Sequence, residues 1–434
     1  MQEQEKTGRR RALRTLIAGS AVAASGAALA HEHQHGNAEH KTPALLARGK
    51  WAPRNWAALN TLLREHGKHS KKYNPKRKPY AVFDWDNTSI MNDCEEALLY
   101  YQIMTLSFKL KPQEFATVIR QHVPAGPFTA DYKNAAGKIV ELDEICADLA
   151  EDYNFLYAEY AGLGGKKTLE EVSQTPQFAD FRAKLLFLYN AVNDTHGVNV
   201  GYPWVIYFFA NMSVPEVMKL AEASHDFALG EGLSKVKYSS PASLPGKAGV
   251  ISISHFHGIR LCTEVADLMD ALRNHGIDVY VSTASMEEVV AAFATLPKYG
   301  YHVARENVLG LRLARKGDVL QNAYMPEWPL NWGPGKTEVI KRELLAKKGY
   351  GPLFVAGDSD GDYDMLRDFS DTALGLVVNR LKKGKIGELC KQAVDAMNSP
   401  KPRFILQGRQ ESTGNWLPHE MCLKLGKSQP ALLP

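Results

Sequence analysis

The sequence predicts an α/β fold, a parallel sheet interrupted by a large helical insertion. Three observations lead there. From residue 256 to about residue 400, strand patterns alternate with helix patterns, as they do where each crossover helix returns the next strand parallel to the last. An apolar run, Tyr80-Ala81-Val82-Phe83, reads as a buried strand well upstream of that alternation. The block between, residues 93–255, has helical patterning and no strand signal of comparable strength.

Taken in chain order, residues 1–30 are expected to be an export signal rather than part of the fold. GRRRALR at residues 8–14 precedes the uncharged run TLIAGSAVAASGAALA at 15–30, which closes on the small-x-small triplet Ala28-Leu29-Ala30. The pattern Arg9-Arg10-x-x-Leu13-Arg14 resembles a twin-arginine signal, with Gly8 and Ala12 departing from its usual residues. That resemblance implies the twin-arginine export machinery as a partner and a periplasmic mature protein. The uncharged run is shorter than the ~20 apolar residues of a membrane span, and no later stretch approaches that length. The mature chain is therefore expected not to be membrane-embedded. The signal carries five Lys/Arg against Glu3 and Glu5, so removing its surplus of 3 from the net charge of +4 leaves +1. No basic surplus remains to suggest a nucleic-acid partner. Five cysteines (Cys94, Cys146, Cys262, Cys390 and Cys422) stand far apart and read as buried thiols.

Residues 31–50 form a polar, His-rich tether; cleavage after Ala30 would leave His31-Glu32-His33 as a terminus able to wrap Cu²⁺ or Ni²⁺. Residues 53–67 place Trp56, Leu59, Leu62 and Leu63 on one helical face. In the insertion, Phe178, Phe181, Leu185 and Leu188 follow helical spacing, and Ser213 to Glu216 form a capping box. Beyond it, residues 276–283 (GIDVYVST) are a strand, and Ser285 is expected to cap the helix that follows. Residues 308–325 read as a hairpin turning at Lys316-Gly317-Asp318, Lys336 to about Leu345 as a helix, and 352–358 and 371–379 as two more buried strands.

Ligands of parallel α/β sheets bind beyond the C-terminal strand ends. Chemistry-bearing residues fall at those positions. Asp84 and Asp86 close the first strand, with Thr88 two further on; Ser282 and Thr283 close the second; Lys336 opens a helix after Gly335; and Asp358, with Asp362 four residues later, closes the third in GDSDGDYDML. Paired carboxylates at a buried strand end repel unless a cation compensates them. A hard divalent cation such as Mg²⁺ would do so. A carboxylate can act as nucleophile, a second one can move a proton, and a hydroxyl with an ammonium can hold phosphoryl oxygens. The set suits phosphoryl transfer.

Together, DxDxT, a strand-end Ser/Thr, Lys and GDxxxD in this order resemble the haloacid dehalogenase superfamily of hydrolases over roughly residues 76–95 and 256–400. The resemblance implies a Rossmann-like core with residues 96–255 as a helical cap. The domain layout is then 1–30 signal, 31–50 tether, 51–95 first part of the core, 96–255 cap, and 256–434 the remaining core with a C-terminal extension. It further implies Asp84 as nucleophile, Asp86 as acid/base, and Thr283 and Lys336 as phosphoryl ligands, with Ser282 the alternative at the second motif. Asp84, the Asp86 carbonyl and Asp358 would ligate Mg²⁺, with Asp362 in support.

Residues 84–101, 276–288 and 411–418 are similar to the periplasmic phosphorylcholine phosphatase branch of that superfamily. This implies a small phosphorylated substrate with a cationic leaving group, met by Glu96. The aromatics Tyr100, Tyr101, Tyr153, Phe155, Tyr157, Tyr160, Trp204 and Tyr207 are candidates for a cation cage. A broad acid phosphatase or a phosphoserine-type enzyme is the alternative within the class. A periplasmic metal- or phospho-ligand-binding protein is the alternative outside it. His255 and His257, on one strand face, read as structural.

Overall fold

The computed structural model describes residues 45–434. The export signal and the histidines His31 to His40 lie outside the described residues. Among those described, no helix is long and apolar enough to cross a membrane.

Six parallel strands form the central sheet: β1 (Tyr80–Phe83), β2 (Asp278–Met286), β3 (Val308–Leu311), β4 (Phe354–Gly357), β5 (Leu374–Val378) and β6 (Phe404–Gln407). Their order is β6-β5-β4-β1-β2-β3, all neighbours parallel. The near-continuous apolar runs are explained by burial on both faces. In β1, Ala81 and Phe83 enter one apolar cluster while Tyr80 and Val82 enter the other. The chain leaves β1 toward β2 on one side and receives β4 on the other. The ends of β1, β2 and β4 therefore flank one switch-point crevice.

The first helix, Pro53–His66, buries Leu59, Leu62 and Leu63 as its spacing predicts. Its Asn55 Nδ2 donates to the Leu406 carbonyl of β6 at 2.7 Å.

Between β1 and β2 the insertion is built mainly of helices, the longest being Leu142–Glu159, Pro176–His196 and Val214–Gly230. Phe178, Phe181, Leu185 and Leu188 are all buried, and the Ser213–Glu216 capping box is present. An antiparallel ribbon, Ser234–Ser239 with Ser252–His257, follows the helices; its second strand holds His255 and His257, and its first strand is not expected from sequence. Its first strand, SKVKYS, is exposed along nearly its whole length, so it lacks the alternation that marks a half-buried strand.

Two further expectations change. The hairpin at 308–325 divides, with Val308–Leu311 joining the central sheet as β3 and Leu313–Lys316 pairing with Val319–Tyr324 about Gly317, whose φ is +64°. Ser285 does not cap a helix: β2 runs on to Met286, and the helix starts at Glu287 without a side-chain cap. All five cysteines are free and buried.

Candidate active site

At the end of β1 the backbone turns sharply. Trp85 goes inward against Tyr301, with ring centroids 4.8 Å apart, and Asn87 takes the left-handed region at φ +63°. Asp84 is thereby left at the crevice, only 6% exposed. Its Oδ1 lies 2.5 Å from Lys336 Nζ, and Lys336 reaches Asp362 Oδ1 at 2.7 Å. Thr88 Oγ1 bridges Asp84 Oδ2 at 2.8 Å and Asp358 Oδ1 at 3.0 Å; its single proton serves one carboxylate at a time. Asp362 Oδ2 in turn accepts the N–H groups of Asp358 at 2.9 Å and Ser359 at 3.0 Å, which folds GDSDGD back on itself.

Asp84, Asp358 and Asp362 each offer an oxygen within 4.8 Å of the others, all three residues buried. Burial, then the charge of Asp362, raises Asp84 well above the usual carboxylate range; Lys336 opposes this and Asp358 adds to it. Asp358 moves down. Burial works against its charge, but Arg380, whose Nη1 lies 2.6 Å from Asp358 Oδ2, outweighs it with help from Arg409 and Thr88. Burial likewise opposes the Lys336 ammonium, yet Asp362 and Asp84 hold it protonated. Three packed carboxylates suit an oxygen-seeking divalent cation, which would relieve the repulsion that raises Asp84.

Asp86 is held at both oxygens: Cys94 N–H donates to Oδ1 at 2.7 Å and Ser285 Oγ donates to Oδ2 at 2.6 Å. Burial raises its affinity for a proton, opposed by these two bonds. The second strand-end motif is placed differently from the expectation. Thr283 and Ser282 are both fully buried. Thr283 Oγ1 accepts the Ser285 N–H at 3.1 Å, and Ser282 Oγ donates to Asn331 Oδ1 at 3.0 Å. The hydroxyl of this strand that reaches the cavity and the acidic pair is that of Ser285.

The site opens into a cavity of about 540 Å³. Glu96 lines it, 3.5 Å from Tyr189 OH; burial and then Asp86 raise its carboxyl. Of the proposed cage aromatics, Tyr100 lines the cavity, whereas Tyr153, Trp204 and Tyr207 are buried in the apolar core. The aromatic wall comes instead from Tyr189, Tyr202 and Phe256 together with Tyr100. His255 stacks on Tyr100 at 5.2 Å, and burial takes its pKa down to about 3. His257 bridges Glu231 Oε1 at 2.8 Å and Tyr238 OH at 2.9 Å, so the pair fixes the margin of the site as well as the ribbon.

Sequence reasoning missed a basic wall: Arg380, Lys382, Arg409 and Lys424. The sequence marks the strand 371–379, and Arg380 stands just past its C-terminal end, the position the other site residues occupy. Arg409 likewise lies two residues beyond the end of β6, a strand the sequence pattern does not mark, and tertiary folding alone brings in Lys424.

The family model for haloacid dehalogenase-like hydrolase matches residues 245–367. The chain is 25% identical over 337 residues to the phosphorylcholine phosphatase of Pseudomonas aeruginosa, covering 71% of this chain and 77% of that protein. It is also similar to a crystal structure of a conserved protein of unknown function from Anaerococcus prevotii, with 34% identity and a TM-score of 0.83, over 89% of this chain and 100% of that one.

Proposed function

The chain belongs to the haloacid dehalogenase-like hydrolases and is a phosphoric monoester hydrolase; on that premise we propose that it cleaves a small phosphomonoester with a cationic leaving group through an aspartyl-phosphate on Asp84. The observation that carries this reading is the convergence of Asp84, Lys336, Asp358 and Asp362 from separate segments at one buried point.

Asp84 Oδ attacks phosphorus as the ester P–O bond breaks, and Asp86 delivers its proton to the departing alkoxide. Asp86 then takes a proton from water, whose oxygen attacks the acyl phosphate; phosphate leaves and the Asp84 carboxylate returns. Lys336 offsets charge on the phosphoryl oxygens throughout. Asp84, Asp358 and the Asp86 carbonyl would hold Mg²⁺, with Asp362 orienting Asp358 and Lys336; the ion supplies Lewis-acid polarisation of the phosphoryl group. The crowding of Asp84, Asp358 and Asp362 supports this, because a divalent cation would offset the repulsion that adds to burial in raising Asp84. We take the mature protein to be periplasmic, exported by the twin-arginine route, on the residues of the leader segment.

Phosphorylcholine is the proposed substrate, supported by the relative's name and by a wall that sets Glu96 and Asp93 beside Tyr100, Tyr189 and Tyr202. Hydrolysis of phosphorylcholine, phosphoethanolamine, phosphoserine and nucleoside monophosphates, with Mg²⁺ and after chelation, tests the reaction and its selectivity. Retained turnover in the chelated enzyme would remove the metal from the account. Glu96→Gln is expected to raise KM for phosphorylcholine ~10-fold or more while changing KM for p-nitrophenyl phosphate little. An equal effect on both would show that Glu96 does not read the leaving group.

A further inference from the structure

We propose that Arg380 and Lys382 form a cationic arm that binds the oxygens of the substrate's phosphoryl group in addition to Lys336. The inference rests on the phosphatase reading above and assigns that site two further binding residues.

Both residues line the cavity that holds Asp84, Asp86 and Asp358, and Arg380 touches Asp358 directly. Lys336 is already committed to Asp84 and Asp362. With a divalent cation bound, the three carboxylates cancel its charge and that of Lys336, so a phosphoryl dianion needs further positive charge. The rest of the basic wall meets Glu411: Arg409 lies 3.1 Å and Lys424 3.1 Å from its Oε1. Lys382 differs. It is exposed to the cavity and has no carboxylate partner among the described residues. Arg380 Nε is enclosed with no acceptor. Two neighbouring cations with spare donors repel each other; the repulsion from Arg380, and then burial, weakens the hold of Lys382 on its proton. A bound anion relieves that repulsion.

The backbone holds this arm in place. Leu381, between the two, lies in the left-handed region at φ +54°, a conformation unfavourable for a non-glycine residue. Asn379, buried at the end of β5, stabilises the turn: its Oδ1 accepts the Leu381 N–H at 3.0 Å, and its Nδ2 donates to the carbonyls of Glu420 and Leu432, each at 2.8 Å. The backbone turn that carries Lys382 is thus fixed by a buried amide, which lowers the backbone entropy lost on binding.

The test is calorimetric binding of inorganic phosphate to the purified Mg²⁺-containing protein, alongside turnover of p-nitrophenyl phosphate. Lys382→Met is expected to weaken phosphate binding ~10-fold and to raise KM similarly, with kcat changed less than about threefold, and Lys382→Arg to retain both affinities. Since the Lys382 side chain has no partner to lose, the variant is expected to fold as wild type does. Unchanged phosphate affinity in Lys382→Met would overturn the proposal. So would a loss confined to phosphoserine and absent with phosphoethanolamine, because the arm would then bind a second anionic group on the leaving alcohol. Phosphate binding that depends on Lys382 in a protein that hydrolyses no phosphomonoester would uphold the arm and refute the catalytic reading.

Discussion

Asp84→Asn is expected to lose at least ~10³-fold in kcat/KM on any phosphomonoester, while the metal-free variant unfolds at no lower denaturant concentration than wild type. The first half follows from removing the attacking oxygen: an amide of the same shape fills the site and forms no acyl phosphate. The second half follows from the charges. Asp84 is raised by burial and by Asp362 and Asp358, so the folded state resists its ionisation. Asn removes that cost, and Lys336 keeps Asp362 as its partner. Function and stability thus pull in opposite directions at this residue, as they do at sites built to bind charge. A variant with normal turnover, or one lost only because it unfolds, would contradict this.

Strand ends make much of the site legible in the sequence. Asp84, Lys336, Asp358 and Asp362 were legible because each sits at the end of a buried strand or the start of a helix, where the parallel fold itself dictates convergence. The roles of the hydroxyls were not legible. Ser282, Thr283 and Ser285 lie within four residues on one extended segment, and which of them faces the cavity depends on how far β2 continues before its helix begins. The aromatic wall was misread for a related reason. Tyr189 and Trp204 both sit on insertion helices, but helix periodicity identifies an apolar stripe without saying whether it meets core or cavity. The first strand of the ribbon at 234–257 escaped because it is exposed and has no apolar face to show.

Lys184→Met should produce the largest loss of stability outside the site, about 3–5 kcal/mol by urea unfolding, because it leaves a buried carboxylate cluster without its cation. Lys184 is fully buried, with Nζ 2.9 Å from Asp148 Oδ2, 2.6 Å from Asp180 Oδ2 and 3.2 Å from the Pro245 carbonyl. Asp148 also accepts the N–H groups of Lys247 at 2.7 Å and Ala248 at 2.9 Å. The network therefore pins the loop joining the two ribbon strands, and so the ribbon that brings His255 and Phe256 to the cavity. Asp152 completes it: burial and then Asp180 push its pKa up to about 8. The buried Asp152 Oδ2 and Asp180 Oδ1 lack other partners, as a shared proton would require.

The sign of the pH effect follows. Asp152 keeps a proton in the folded state that the unfolded chain gives up near its ordinary value, so its contribution to stability is fully present below about pH 4 and is lost as pH rises toward about 8. Asp152→Asn, which cannot titrate, should flatten that part of the stability profile between about pH 5 and 8. A change below about 1 kcal/mol in Lys184→Met, or an identical pH slope in Asp152→Asn, would show that the cluster is not the pin described.

The central claim is that Asp84 becomes covalently phosphorylated, and reductive trapping tests it most directly. Enzyme quenched during turnover and reduced with borohydride should carry homoserine in place of Asp84 by peptide mass spectrometry, and only when substrate was present. Reduction at a different carboxylate, or a phosphoryl group on another side chain in active enzyme with Asp84 unmodified, would contradict it.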